Sequence, residues 1–265
     1  ILATGMDLSD KTTLAIDIGT NGEMALAHKG RLYSCSTAAG PAFEGANISQ
    51  GMRAEAGAIS EVHINHDVAM KTIGMQPARG ICGSGLLDAV AELVKSGLVA
   101  SSGRMMGPED ALADGLPEAL SARVEAAEGG NRFRLTPETA TDQVWLTQRD
   151  VRELQLAKSA IRAGMETLLS KAGIGYEEIE ALYLAGAFGN YLDKYSAAAV
   201  GMVPGALLDR IISVGNAAGS GAELALTDRE AWGRITRIKN EMVYVELSAN
   251  LEFQELYVDH MMFPD

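Results

Sequence analysis

The sequence predicts an α/β fold: a mixed β-sheet flanked by helices, with an α+β insertion between its early and late strands. Three observations carry this. Three short strand candidates follow one another closely between Leu14 and Cys35. A long amphipathic helix begins after Thr147 and runs to Gly173. Two later apolar runs, 181–184 and 211–214, each end in a glycine-bearing turn.

The first element is an apolar run, Leu14-Ala15-Ile16, that ends in Asp17-Ile18 and passes through Gly19-Thr20-Asn21-Gly22 into a second run from Glu23 to Leu26. Asn-Gly is a strong type I′ signal, so the segment reads as a hairpin. Its two glycines also let the backbone approach a ligand closely, as phosphate-binding turns require. Asp17 can orient a metal-bound water there, and Thr20 and Asn21 can donate to phosphate oxygens. The turn joins two strands, whereas Walker loops and Rossmann turns open a helix. A third strand at 31–35 completes a meander.

A loop of small residues follows, from Ser36 to Ala46, and then strand candidates at 58–64 and 70–73. Gly80-Ile81-Cys82-Gly83-Ser84-Gly85 opens a helix whose apolar face is Leu86, Leu87, Val90, Leu93 and Val94, stopped by Gly97. The glycines there do not fit G-x-G-x-x-G and read as tight helix packing. Residues 100–142 are polar and rich in Gly, Pro and Glu, with one hairpin pairing 133–135 with 144–146. Thr147-Gln148-Arg149-Asp150 forms a capping box. Behind it Val151, Leu154, Ala157, Ile161, Met165, Leu168 and Ala172 recur at helical spacing.

The strand at 181–184 leads into Gly186-Ala187-Phe188-Gly189, a turn against which a flat base or ribose can lie. The strand at 211–214 leads through Gly215 and Asn216 into a helix N-terminus, whose dipole favours anions. Residues 242–247 read as a late strand, and the first six residues read as the tail of a helix. Meander, insertion, then helix–strand–helix–strand–helix is the order of one ribonuclease-H-like lobe of the actin and sugar-kinase type. Residues 1–265 are thus expected to form a single nucleotide-binding lobe, a fragment of a longer protein, with the insertion at about 38–146.

Composition narrows the function. The net charge of −13 argues against nucleic acid and against an anionic membrane surface. No apolar stretch has the length of a membrane span, which makes the cytoplasm the default location. Cys35 and Cys82 are the only cysteines, read as free thiols, and two cysteines cannot supply the four ligands of an iron–sulfur cluster. His28, His63, His66 and His260 are scattered, and the pair His63 and His66 reads as surface groups, so no metal site is assigned.

Five segments, in this order, resemble a known family: Asp17 to Glu23, Cys35 to Ala46, Gly80 to Gly85, Ala185 to Tyr191 and Val214 to Ala218. Together they are similar to the C-terminal ATPase region of the reductive activators of corrinoid proteins, iron–sulfur members of the actin, sugar-kinase and chaperone superfamily. The resemblance implies ATP-dependent return of a Co(II) corrinoid to Co(I), with ATP held between two lobes. Asp17, Gly19, Thr20, Asn21 and Gly22 would hold phosphates and magnesium-bound water. Gly186, Ala187, Phe188 and Gly189 would line the adenosine, with Gly215 and Asn216 on the same rim. Glu44 is a candidate water-orienting carboxylate, and the hydroxyls of Ser36 and Thr37 are candidates for approaching the corrinoid of the partner. That partner is a corrinoid protein or a corrinoid-dependent methyltransferase, and a homodimer is possible. The cluster is expected in a domain absent from this sequence. The rivals are a small-molecule kinase of the same superfamily and a docking module that senses nucleotide without hydrolysing it.

Overall fold

The structure is a computed structural model that describes residues 1–189 and 191–264, excluding the side chain of Ala187. Strands β1 (Thr13–Ile18), β2 (Gly22–His28) and β3 (Arg31–Thr37) form the predicted antiparallel meander. The next stretch holds β4 (Ala58–Ile64), β5 (Val68–Thr72), β6 (Gly80–Ile81) and helix α1 (Gly83–Lys95). Helices α2 (Pro108–Ala113) and α3 (Glu118–Ser121) and strands β7 (Val124–Ala127), β8 (Gly130–Arg134) and β9 (Trp145–Thr147) follow. The long helix is α4 (Gln148–Ala172). After it come β10 (Ala181–Ala185), the one-turn α5 (Gly186–Gly189), α6 (Lys194–Ala199), β11 (Ile211–Gly215) and α7 (Ala217–Thr227). Helix α8 (Arg229–Glu241), β12 (Val243–Tyr244) and α9 (Leu251–Asp259) close the chain.

The main sheet runs β11-β10-β1-β2-β3-β12. β10 and β11 lie parallel to β1, and β2 is antiparallel to its neighbours, which is the mixed arrangement of a ribonuclease-H-like lobe. Strand alternation puts Leu14, Ile16 and Ile18 on one face, where they are buried in the principal core that Val151, Leu154, Ile161, Met165 and Leu168 of α4 also fill. Burying such side chains stabilises the fold by roughly 1.5–3 kcal/mol each. Ala15, Ala25 and Tyr183 share the opposite face and pack against Met6, Ile238 and Met242. The Asp7 carboxylate binds Arg234 at 2.5 Å and Arg237 at 3.1 Å, which fastens the N-terminal turn to α8.

Helix α4 begins as its sequence dictates. The Thr147 hydroxyl accepts from the Asp150 N–H, the Asp150 carboxylate accepts from the Thr147 N–H, and Gly173 ends the helix at φ 70°. The glycines in the first turn of α1 serve packing: a Cβ at Gly83 would stand 2.0 Å from the Phe43 carbonyl oxygen, and one at Gly85 would stand 2.1 Å from that of Ile59. Both thiols are free and buried, and burial pushes Cys35 up to about 12.

Five expectations need correction. The small-residue loop begins at Ala38 rather than Ser36, because Ser36 and Thr37 extend β3 by pairing with Glu23 and Gly22. The first residues form turns and a 3-10 turn, Met6–Leu8, in place of a helix tail, because the Asp7 ion pairs and the burial of Met6 organise them. The strand expected at 70–73 lies at Val68–Thr72, and Ile73 belongs to a 3-10 turn that Gly74 bends at φ 69°. The polar stretch before α4 carries more than one hairpin: β7, β8 and β9 form a three-stranded sheet, with α2 and α3 ahead of it. β7 alternates weakly because only Val124 of its four residues is buried. The late strand keeps only Val243 and Tyr244, paired in parallel with β3; the Val245 N–H still donates to the Ser34 carbonyl at 2.7 Å, and the side chains of Val245 and Leu247 are buried in the core.

Candidate functional site

Three parallel strands end together. Asp17 is in register with Ala185, and Ala185 with Gly215, so the turns after β1, β10 and β11 form one continuous rim. Ligands collect at the carboxyl ends of strands in open sheets of this kind. The rim brings Asp17 to Thr20, Gly186 to Gly189, and Gly215 to Asn216 onto one edge, as the sequence reading expected. Ala187 is there by its backbone only, and its side chain and all of Asn190 lie outside the described residues.

The turn after β1 is tight. The Gly19 N–H donates to the Asn21 carbonyl at 2.9 Å, while Thr20 and Asn21 are exposed. Gly22 is buried between Thr37 and Ile161, where a Cβ would stand 3.1 Å from the Thr37 methyl. Asp17 is half-buried at the base of the turn. Burial raises its carboxyl above the usual range, and the facing Glu23 carboxylate, its cross-strand partner, raises it further. Gly186 adopts φ 89°, and a Cβ there would stand 2.7 Å from Asp17 Oδ1 and 2.8 Å from the Ile18 carbonyl oxygen. Only glycine lets the β10 turn close on the Asp17 carboxylate in this way. The result is a cradle of backbone and one carboxylate, suited to an anion that arrives with its own cation.

A second bracket holds the cradle from outside. The 3-10 turn Pro41–Glu44 follows β3. Its Glu44 carboxylate accepts from the Thr20 hydroxyl at 2.6 Å, and the Gly40 N–H donates to the Thr20 carbonyl at 2.9 Å. Its Phe43 is buried and stacks on Phe188 of α5, with ring centroids 4.5 Å apart and planes inclined by 24°. Phe188 therefore rests on protein by one face. Sequence reasoning missed Phe43 and Glu23, and each left a signal. Phe43 is the one aromatic residue in the small-residue loop, and the hairpin register puts Glu23 opposite Asp17.

The remaining candidates are placed less tightly. Asn216 caps α7, its side-chain oxygen accepting from the Gly219 N–H at 2.8 Å, and no residue of α7 is buried. A cavity of about 220 Å³ beside it is lined by Ala3, Thr4, Tyr183, Val214, Ala217 and Ser220. It carries no charged side chain, so it offers space rather than a phosphate site. Thr37 is buried with its methyl toward Gly22, whereas Ser36 is half-exposed, with its hydroxyl 3.5 Å from the Glu23 carboxylate. Of the two, Ser36 faces outward. Among the described residues no group of three or more His, Cys, Asp or Glu is arranged to hold a metal, and no helix is long and apolar enough to cross a membrane.

Comparison with known proteins agrees with this geometry. Residues 11–265 match the family described as the C-terminal domain of RACo, the ASKHA domain. The corrinoid activation enzyme RamQ of Eubacterium limosum is 38% identical over 266 residues, 98% of this chain and 44% of that protein. The Co(II) methylated amine-specific corrinoid protein reductase of Methanosarcina barkeri is 31% identical over 240 residues, 82% of this chain and 39% of that protein. A solved reductive activator for a corrinoid, iron–sulfur protein superposes with a TM-score of 0.88 at 37% identity, covering 99% of this chain and 41% of that one. The chain thus spans less than half the length of each of these proteins. Its mixed sheet is that of an actin-like ATPase domain, and the chain belongs to the family of RACo C-terminal ASKHA domains.

Proposed function

We propose that this chain is the ATP-binding part of an ATP-dependent reductive activator that returns corrinoid proteins from Co(II) to Co(I) in the cytoplasm. The observation that carries the reading is the rim where Asp17, Ala185 and Gly215 end in register, with the Gly186 turn closed on the Asp17 carboxylate. Its support comes from the relatives, two of which are named for activating or reducing corrinoid proteins.

The residues fit a magnesium nucleotide. Thr20 and Asn21 are exposed donors for phosphate oxygens, and Asp17 is the carboxylate placed to orient magnesium-bound water. Magnesium keeps several waters and is commonly held by one or two carboxylates plus substrate phosphates, so a full protein cage is not needed. Gly186, Ala187, Phe188 and Gly189 present backbone for the adenosine, with Gly215 and Asn216 beyond them. Glu44, exposed above Gly19, is the water-orienting carboxylate. Bound ATP supplies the free energy for an uphill one-electron reduction. An iron–sulfur cluster held elsewhere would supply the electron, and the partner would be a corrinoid protein or corrinoid-dependent methyltransferase. Of the two candidate partner-contacting hydroxyls, Ser36 and Thr37, Ser36 is the half-exposed one.

A calorimetric titration with ATP and magnesium tests the site. Asp17→Ala should weaken binding at least tenfold, about 1.4 kcal/mol. Equal affinity in both proteins would remove Asp17 from the site. Absence of binding in both, with binding in a longer natural polypeptide that includes these residues, would assign essential contacts to the other lobe. Release of phosphate without any return of Co(I) on adding a corrinoid protein and a reductant would favour a different acceptor.

A further inference from the structure

We propose that Phe43 is a positioning residue that transmits nucleotide occupancy from the rim to the rest of the loop at 38–46. The inference rests on the nucleotide reading above and deepens it. Phe43 is buried beside Glu44 and touches both halves of the site. Its ring stacks on Phe188 of the turn that closes on Asp17, at 4.5 Å between centroids. Its neighbour Glu44 accepts the Thr20 hydroxyl at 2.6 Å, and Gly40 binds the Thr20 carbonyl at 2.9 Å. Phosphate turn, Pro41–Glu44 turn and β10 turn thus form a closed ring of contacts, with Phe43 at the joint.

The joint is stiff on its far side. The Phe43 carbonyl lies against Gly83 at the start of α1, where a Cβ would approach to 2.0 Å. Gly45, at φ 78°, is pressed on the Met52 backbone, where a Cβ would approach to 2.4 Å. The Gly45 N–H donates to Ala42 and the Ala46 N–H to Pro41. A turn braced in this way moves as a body when its contacts change.

The Thr20 hydroxyl makes them change. It has one proton, which it gives either to Glu44 or to a phosphate oxygen. A phosphate that takes this donor releases Glu44 and adds negative charge beside it. The Pro41–Glu44 turn, still held by the Phe43–Phe188 stack and braced on Gly83 and Met52, then shifts about that stack and carries residues 38–46, which follow β3, with it. This gives the segment after β3 a direct report of ATP.

Amide hydrogen exchange with and without saturating ATP and magnesium tests this in the polypeptide for which calorimetry detects binding. In the wild type, nucleotide should change exchange at Gly40, Gly45 and Ala46 by at least about fivefold, a difference opening equilibria make visible. Phe43→Leu and Phe43→Met keep an apolar side chain and remove the ring, and either suffices if the other fails to fold. At matched saturation they should keep the nucleotide response at Thr20 and Asn21 while that at Gly40, Gly45 and Ala46 falls below about twofold. A merely structural role would alter exchange with and without nucleotide alike and leave the difference intact. A full response at 38–46 in the folded variant, or none in a wild type that binds, overturns the proposal and spares the nucleotide reading. No binding by the wild type in any form overturns both.

Discussion

The two ends of the rim were read from the same glycine signature, yet they are built differently. At the β1 end, the turn is gripped from three sides, by Gly186 below Asp17, by Glu44 and Gly40 on Thr20, and by Thr37 and Ile161 around Gly22. At the β11 end, Gly215 and Asn216 lead into α7, which buries none of its residues and holds its first turn with the Asn216 cap. Glycine spacing predicts where a backbone can approach a ligand. Packing decides whether that backbone is held in place when the ligand arrives, and preorganised contacts are the ones that contribute binding energy.

The β1 end is therefore where substitution should hurt most. Gly186→Ala is expected to have the largest effect. The new methyl enters the space of Asp17 Oδ1 at a positive φ, so the fold should lose about 1–3 kcal/mol. ATP affinity should fall by about 100-fold, about 2.7 kcal/mol, read by calorimetry on protein shown to be folded. A loss under tenfold would mean that the closure on Asp17 is packing alone.

Asp17→Asn comes next, and it separates binding from stability. Burial, and then the Glu23 carboxylate, raise the Asp17 carboxyl, so its ionised form is disfavoured in the fold. That penalty is absent below the ordinary carboxylate range, grows as pH rises through the raised value, and stays constant above it. Asn should therefore raise the melting temperature at pH 7 and leave it unchanged near pH 3, while weakening magnesium–ATP by at least about tenfold. Lower stability at pH 7 would show that the carboxylate is a structural anchor rather than a strained functional group.

The same contrast explains what was legible in the sequence. Apolar periodicity exposed β1, β2, β3, α1 and α4, because each turns a continuous stripe toward the core; Leu14, Ile16 and Ile18 of β1, and Val151 to Leu168 of α4, are the clearest cases. The rim was legible too, since strand ends carry their glycines in sequence. What stayed hidden was set by contacts between distant segments. Thr20 and Glu44 are 24 residues apart, and no local pattern says that they bond. Phe43 looked like one apolar residue in a loop until its ring met Phe188. Thr37 looked like a free hydroxyl because its alternation with Ser36 was not followed one residue further along β3. The N-terminal turn owes its shape to Asp7 and two arginines more than 200 residues away.

Thr20→Val probes the middle of the range. It removes the hydroxyl that bonds Glu44 and is proposed to bind a phosphate in its place, and a single hydrogen bond contributes about 0.5–1.5 kcal/mol. ATP affinity should drop about three- to tenfold. The Gly40 amide, bound to the Thr20 carbonyl, should keep its protection in the absence of nucleotide. Simultaneous loss of that protection would mean that the hydroxyl organises the turn instead of serving the ligand.

The smallest effect belongs to the β11 end, and it decides whether the comparison is right. Asn216→Ala removes a cap worth about 1 kcal/mol and leaves the Gly219 N–H without its side-chain acceptor. Because α7 buries nothing, the loss should stay local, appearing as faster exchange in the first turn of α7 with little change in global melting. ATP affinity should fall by no more than about threefold, and Asn216→Ser, which restores a capping oxygen, should recover it. If Asn216→Ala instead matches the hundredfold loss expected of Gly186→Ala, the uncovered end of the rim is held by the nucleotide itself, and binding there orders α7 rather than meeting a helix already in place.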